Sequence, residues 1–189
     1  MQEYIGKIGG FVVFCAHFPL YVAIVRKTVR PSLATWGMWS VLASAMVASQ
    51  IAAGKKDVWG MLAAATGTIV VFILLLFYGE RKWTAFDTRC LLLSALGVVA
   101  WAVSGPATAQ IAFLASLFIA GASTVRNAWQ NPQNESRLAW GMFALGFGLT
   151  VIAITNWHSL TMWVQPVSST IFNLVVFLLA LRCKGKAKA

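Results

Sequence analysis

The strongest constraint on this chain is where its charges are missing. Its five carboxylates, Glu3, Asp57, Glu80, Asp87 and Glu135, all fall in tails or short gaps, and between the gaps run seven apolar stretches. They cover about 8–26, 35–53, 58–79, 90–105, 108–126, 137–156 and 161–182. A hydrocarbon core of about 30 Å is crossed by about 20 mainly apolar residues as a helix. In lipid every backbone N–H and C=O must bond within the protein, so a lone apolar stretch of this length is expected to be helical. The expected class is therefore an all-α membrane protein of seven spans. The fourth is the shortest, running from Cys90 to Val103 before Gly105-Pro106.

Composition closes off other classes. Apolar residues make up 59% of the chain and charged residues 11%, too few to cover the surface of a soluble domain. That excludes a water-soluble enzyme, a disordered chain and a nucleic-acid-binding domain, despite a formal net charge of +10. The basic excess instead orients the chain. Lys7, Lys55 and Lys56 fall on one side of the expected membrane, and the other twelve of the fifteen Lys and Arg on the opposite side. By the positive-inside rule the N-terminus is outside and the C-terminus cytoplasmic, with Lys184, Lys186 and Lys188 facing anionic lipid. The first helix is expected to insert the chain itself, without a separate signal peptide. The expected location is the cell (inner) membrane, as a multi-pass integral protein, with an organelle membrane as the alternative. Cys15, Cys90 and Cys183 read neither as a disulfide framework nor as a metal set, and no cofactor is expected.

The chain repeats itself. A shift of 104 positions superposes Ser32 on Ser136, Trp36-Gly37-Met38 on Trp140-Gly141-Met142, Trp59 on Trp163 and Thr66 on Thr170, without a gap. Apolar matches are cheap in a membrane chain, but a shared Trp-Gly-Met and a second shared tryptophan at one register are not. Spans 1–3 thus pair with spans 5–7, and span 4 links them so that both halves run the same way. The expected domains are a first triple-helix bundle (1–79), a loop with linker helix (80–107) and a second bundle (108–189). A parallel repeat of this kind is a known transporter plan, with its ligand site at the repeat interface.

One local pattern points to a family. Span 1 carries Pro19-Leu20, ends in Arg26-Lys27-Thr28-Val29-Arg30-Pro31-Ser32, and span 2 opens at Thr35-Trp36. In the second half, Ser123-Thr124-Val125-Arg126 leads to Trp129-Gln130-Asn131-Pro132, and Glu135-Ser136 precedes span 6. A helix proline, a basic turn and a second helix, in a 3+1+3 plan, resemble the SWEET/PQ-loop transporter superfamily. The Pro-Gln dipeptide itself stands in the turn, at Pro132-Gln133. The resemblance implies a pore between two triple-helix bundles, helix prolines acting as hinges, and sugars or amino acids as cargo. It also admits a receptor, since the KDEL receptor is similar in architecture.

The candidate site follows from polar residues in apolar spans, which turn toward protein or water rather than lipid. His17 is the sole histidine within a span. It reads as a cargo or proton contact, or as a neutral ring bonded to a carbonyl freed by Pro19. Pro19 and Pro166 read as hinges or static kinks. Span 7 gathers Gln165, Ser169 and Asn173 on one face. Asn173 lies near mid-span, and its amide suits a sugar hydroxyl or a carboxylate; in the resembled carriers an Asn of this helix contacts cargo. The alternative is interhelical hydrogen bonding. Trp59 and Trp163 read as interfacial belt residues or as a lid, and Trp36, Trp39 and Trp140 as belt residues at the inner interface. The expectation is one cavity between the bundles, lined by His17, Gln50, Thr66, Ser169 and Asn173. Nothing in the spacing supports catalysis, so an enzyme is not expected. The leading function is a carrier of a small polar solute, working by alternating access. The alternatives are a ligand-binding or sorting receptor on the same fold, or an interaction protein without cargo. Expected partners are the solute and the bilayer; homo-oligomer formation stays open.

Overall fold

The computed structural model describes residues 1–52, 54, 58–79 and 106–182, with isolated positions between 85 and 103. The expected fourth span lies largely outside the described residues, as does the lysine-rich tail. Six α-helices and one 3-10 turn make up the regular structure of the described residues, with no strand. They are α1 (Gln2–Val25), α2 (Leu33–Ala52), α3 (Trp59–Tyr78), α4 (Pro106–Gln130), the 3-10 turn Pro132–Asn134, α5 (Arg137–Ile152) and α6 (Leu160–Leu181).

The local chemistry explains the ends. Ser32 and Ser136, register mates in the repeat, each turn a hydroxyl back onto the third amide of the following helix. The Thr35 amide donates to Ser32 Oγ at 3.3 Å and the Ala139 amide to Ser136 Oγ at 3.4 Å. Helix α4 opens on Pro106, where a missing N–H is harmless. Helix α1 closes in a Schellman turn: Lys27 N–H donates to the Ile24 carbonyl and Thr28 N–H to the Ala23 carbonyl, both at 2.9 Å. Lys27 takes the left-handed conformation this needs, at φ 55°.

Helices α2, α3 and α6 coincide with their apolar stretches to within two residues, whereas the others do not. Helix α1 starts at Gln2, not near residue 8, because the Glu3–Lys7 ion pair at 2.8 Å supports a polar first turn. Helix α4 runs on to Gln130 past Arg126, and α5 stops at Ile152 ahead of Thr155 and Asn156. Among the described residues three helical segments, Gln2–Val25, Trp59–Tyr78 and Met162–Leu181, are long and apolar enough to cross a membrane. Helix α2 is less apolar for its length because it is wrapped in protein: twelve of its 20 residues are buried, Thr35, Ser40, Ser49 and Gln50 among them. Large apolar side chains such as Phe11, Phe77 and Leu178 stand exposed, as on a membrane protein.

Helix α3 packs between α1 and α2, and α6 between α4 and α5. The two sets meet where α1 lies on α5 and α2 on α4. The α1–α5 crossing is close because it is built on glycine. A Cβ on Gly9 would lie 2.8 Å from the Gly146 carbonyl oxygen, and one on Gly146 2.8 Å from the Val13 amide.

Candidate functional site

A central cavity of about 100 Å³ lies between the two sets of helices. Its wall is rich in aromatic rings, with Trp36 and Trp39 from α2, Trp140 and Phe143 from α5, and Phe172 from α6. Trp36 and Trp140, each only 2% exposed, face one another at a ring separation of 6.3 Å. The i, i+3 pairs Trp36–Trp39 and Trp140–Phe143 stack edge to face at 5.1 and 5.7 Å. These rings floor the cavity at the end where α2 and α5 begin. The polar groups of the wall are His17, Thr68, Ser169 and Asn173. Among the described residues the wall carries no Asp, Glu, Lys or Arg.

Each polar group is held by its own helix. His17 Nδ1 meets the Val13 carbonyl at 2.9 Å, and the ring stands edge-on to Phe143 at 4.6 Å. Gly67 makes room for it: a Cβ there would reach 2.2 Å from the imidazole. Asn173 Nδ2 donates to the Ser169 carbonyl at 2.6 Å, and Gln165 Nε2 donates to Ser169 Oγ at 3.1 Å.

Beyond the central cavity, toward the start of α1, opens a wider vestibule of about 420 Å³. Gln50, Thr150, Gln165 and Pro166 line it, with Glu3 at its rim. Met61 and Phe147 stand in both walls and divide the two spaces. Gln50 Nε2 is buried there without a hydrogen-bond partner among the described residues.

The expected single site is thus two. His17, Ser169 and Asn173 do come together in the central cavity, whereas Gln50 lines the vestibule with Pro166. Thr66 lines neither: it is exposed, and its hydroxyl donates to the Leu62 carbonyl of its own helix at 2.8 Å. Thr68, two residues on and so on another helix face, takes that place. Trp59 is 46% exposed and Trp163 half-buried, and neither lines a cavity; Pro19 is half-buried within a continuous α1. The largest correction concerns Trp36, Trp39 and Trp140. They are not interfacial belt residues but buried floor. The shared Trp-Gly-Met was the available signal, because both of its tryptophans stand in the same wall, ring to ring.

The sequence puts Glu135 in a gap between spans. It is 7% exposed and sits directly before the N-cap of α5. Asn127 Nδ2 donates to its Oε1 and Trp140 Nε1 to its Oε2, each at 2.9 Å. Burial pushes its carboxyl up to about 7, against the opposing pull of those two donors. Comparison with protein-family models, curated proteins and solved structures gave no match.

Proposed function

We propose that the chain is a seven-span membrane carrier of a small polar solute, built as two parallel triple-helix bundles of the SWEET/PQ-loop kind joined by the 90–105 span. The observation that carries the reading is the central cavity between the two helix sets, walled by aromatic rings and fitted with Asn173, Ser169 and His17. Three features support the repeat. Exchanging α1, α2 and α3 for α4, α5 and α6 maps the packing onto itself, since α1 on α5 becomes α4 on α2. Register mates Ser32 and Ser136 cap equivalent helices, and register mates Trp36 and Trp140 touch. The N-terminus is placed outside and the C-terminus in the cytoplasm on the distribution of Lys and Arg.

The wall selects the cargo class. Aromatic faces take the C–H face of a ring or a short apolar side chain, and the few polar groups fix orientation. A cavity of about 150 Å³ takes benzene, so the central cavity, at about 100 Å³, suits a small amino acid as it stands, and a monosaccharide enters only as the two helix sets part. Without a charge in the wall, a receptor for a strongly charged signal fits less well. Pro19 and Pro166 act as the hinges of alternating access, as helix prolines do in the resembled family. The direct test is uptake by the protein reconstituted in liposomes, screened over labelled monosaccharides and amino acids. Saturable uptake of one compound above protein-free liposomes is the expected result; none across the panel overturns the reading.

A further inference from the structure

The wall of the central cavity is uncharged, yet one of its rings is tied to an acid outside it. Trp140 lies within 6.3 Å, ring to ring, of Trp36, Trp39, Phe143 and Phe172, and so forms the hub of the floor. Its only polar atom, the indole Nε1, donates to Glu135 Oε2 at 2.9 Å. The other carboxyl oxygen is held by Asn127 from the last turns of α4. The Glu135 backbone is pinned as well, its amide donating to the Pro132 carbonyl at 3.2 Å across the 3-10 turn. Next to it, the Asn134 carbonyl accepts from the Arg30 amide at 3.3 Å, which joins this turn to the loop after α1. One residue therefore connects the end of α4, the turn, the start of α5 and the floor, through its side chain and its amide. The repeat does not duplicate it. The position matching Glu135 is Pro31, whose side chain can accept nothing from Trp36.

We propose that Glu135 is a positioning residue that latches the floor of the central cavity by holding Trp140, and that passage through that end requires the Trp140–Glu135 hydrogen bond to break. The latch lies in the second half alone, so the floor opens by movement of the α5 side while Trp36 stays in place. The inference rests on the carrier reading for the meaning of passage, but its test does not require a cargo.

The test uses the full chain in liposomes with Ser169→Cys in the cavity wall. The probe is a membrane-impermeant cationic methanethiosulfonate, applied from one side at a time. Helix α6 runs from the vestibule end to the floor end, so a C-terminal tag marks the floor side of each vesicle. The protein without Ser169→Cys sets the background from Cys15, Cys90 and Cys183. Labelling from the floor side is expected to rise at least tenfold in Glu135→Ala and in Trp140→Phe, which keeps a ring but loses the N–H. The double variant should label no faster than either single one, since each breaks the same bond. Labelling from the vestibule side should not rise. Should Glu135→Ala fold poorly, Trp140→Phe carries the test alone. An unchanged floor-side rate, an equal rise from both sides, or additive effects would overturn the latch. If the floor-side rise occurs and no solute is taken up, the carrier reading falls and the latch stands.

Discussion

Asn173 and Glu135 show two ways in which a polar side chain is accommodated in an apolar protein. Among the described residues, the hydrogen bond of Asn173 runs to its own helix, through the Ser169 carbonyl, and not to a neighbour. Asn173→Leu should therefore cost less than the about 0.6 kcal/mol typical of an interhelical bond, while a cargo-binding role predicts at least a tenfold loss of uptake. Melting temperature and uptake measured on one preparation separate the two; a large stability loss would make Asn173 structural. Thr66→Val, on an exposed face, should change neither. Glu135 gives a pH dependence. Unfolded, its carboxyl ionises near 4.5, whereas folded it keeps its proton up to about 7 because burial disfavours the anion. Between those values the folded state binds more protons, so stability declines as pH rises through the window, by about 3 kcal/mol at most. Above it both states are ionised and the dependence ends. Glu135→Gln should flatten the melting-temperature profile between pH 4.5 and 7; parallel profiles would show that Glu135 does not titrate there.

Among the elements, the turn after α1 holds a correctable strain. Lys27 occupies the left-handed region that a Schellman turn reserves for glycine, and a Cβ there costs about 1–2 kcal/mol. Part of this is recovered by glycine's greater unfolded entropy, so Lys27→Gly should stabilise by about 0.5–1 kcal/mol. Chemical denaturation of the purified protein would measure it, and a destabilised variant would mean that the lysine side chain makes compensating contacts. The sequence marked this turn as basic and polar but gave no sign of its handedness. Helix ends were legible only in part for a related reason. Hydropathy reads the thickness of apolar contact, whereas a helix ends where its hydrogen-bond ladder does. The two agree at Trp59–Tyr78, and they part at Gln2–Lys7 and Arg126–Gln130, where polar side chains continue a helix beyond the apolar run.

At the scale of the whole molecule, the periodic signals were the legible ones. Apolar runs gave the all-helical class, and the 104-residue offset paired Ser32 with Ser136, which cap α2 and α5, and Trp36 with Trp140, which meet at the floor. What stayed hidden was which way each amphipathic residue faces. A tryptophan near a span end has the same depth whether it meets headgroups or a repeat mate, and one residue of register separates Thr66, exposed, from the buried face of α3. The helix directions carry a final consequence. Helix α3 begins at the vestibule, where Met61 lines the wall, and so ends at Tyr78 on the floor side. Helix α4 ends on the floor side, where Asn127 meets Glu135, and so begins at the vestibule end. Tyr78 and Pro106 thus stand at opposite ends of the bundle, and joining them takes a crossing of about 30 Å at 1.5 Å per residue for a helix as long as α3. The prediction is that residues 90–105 supply this crossing and place the loops before and after them on opposite sides. Given the basic residues that accompany the C-terminus, a reporter fused after Lys82 should be active in the cytoplasm and one fused after Pro106 outside. Two reporters on the same side would leave six crossings at most and would require the halves to be inverted, which contradicts the shared direction of α1 and α4.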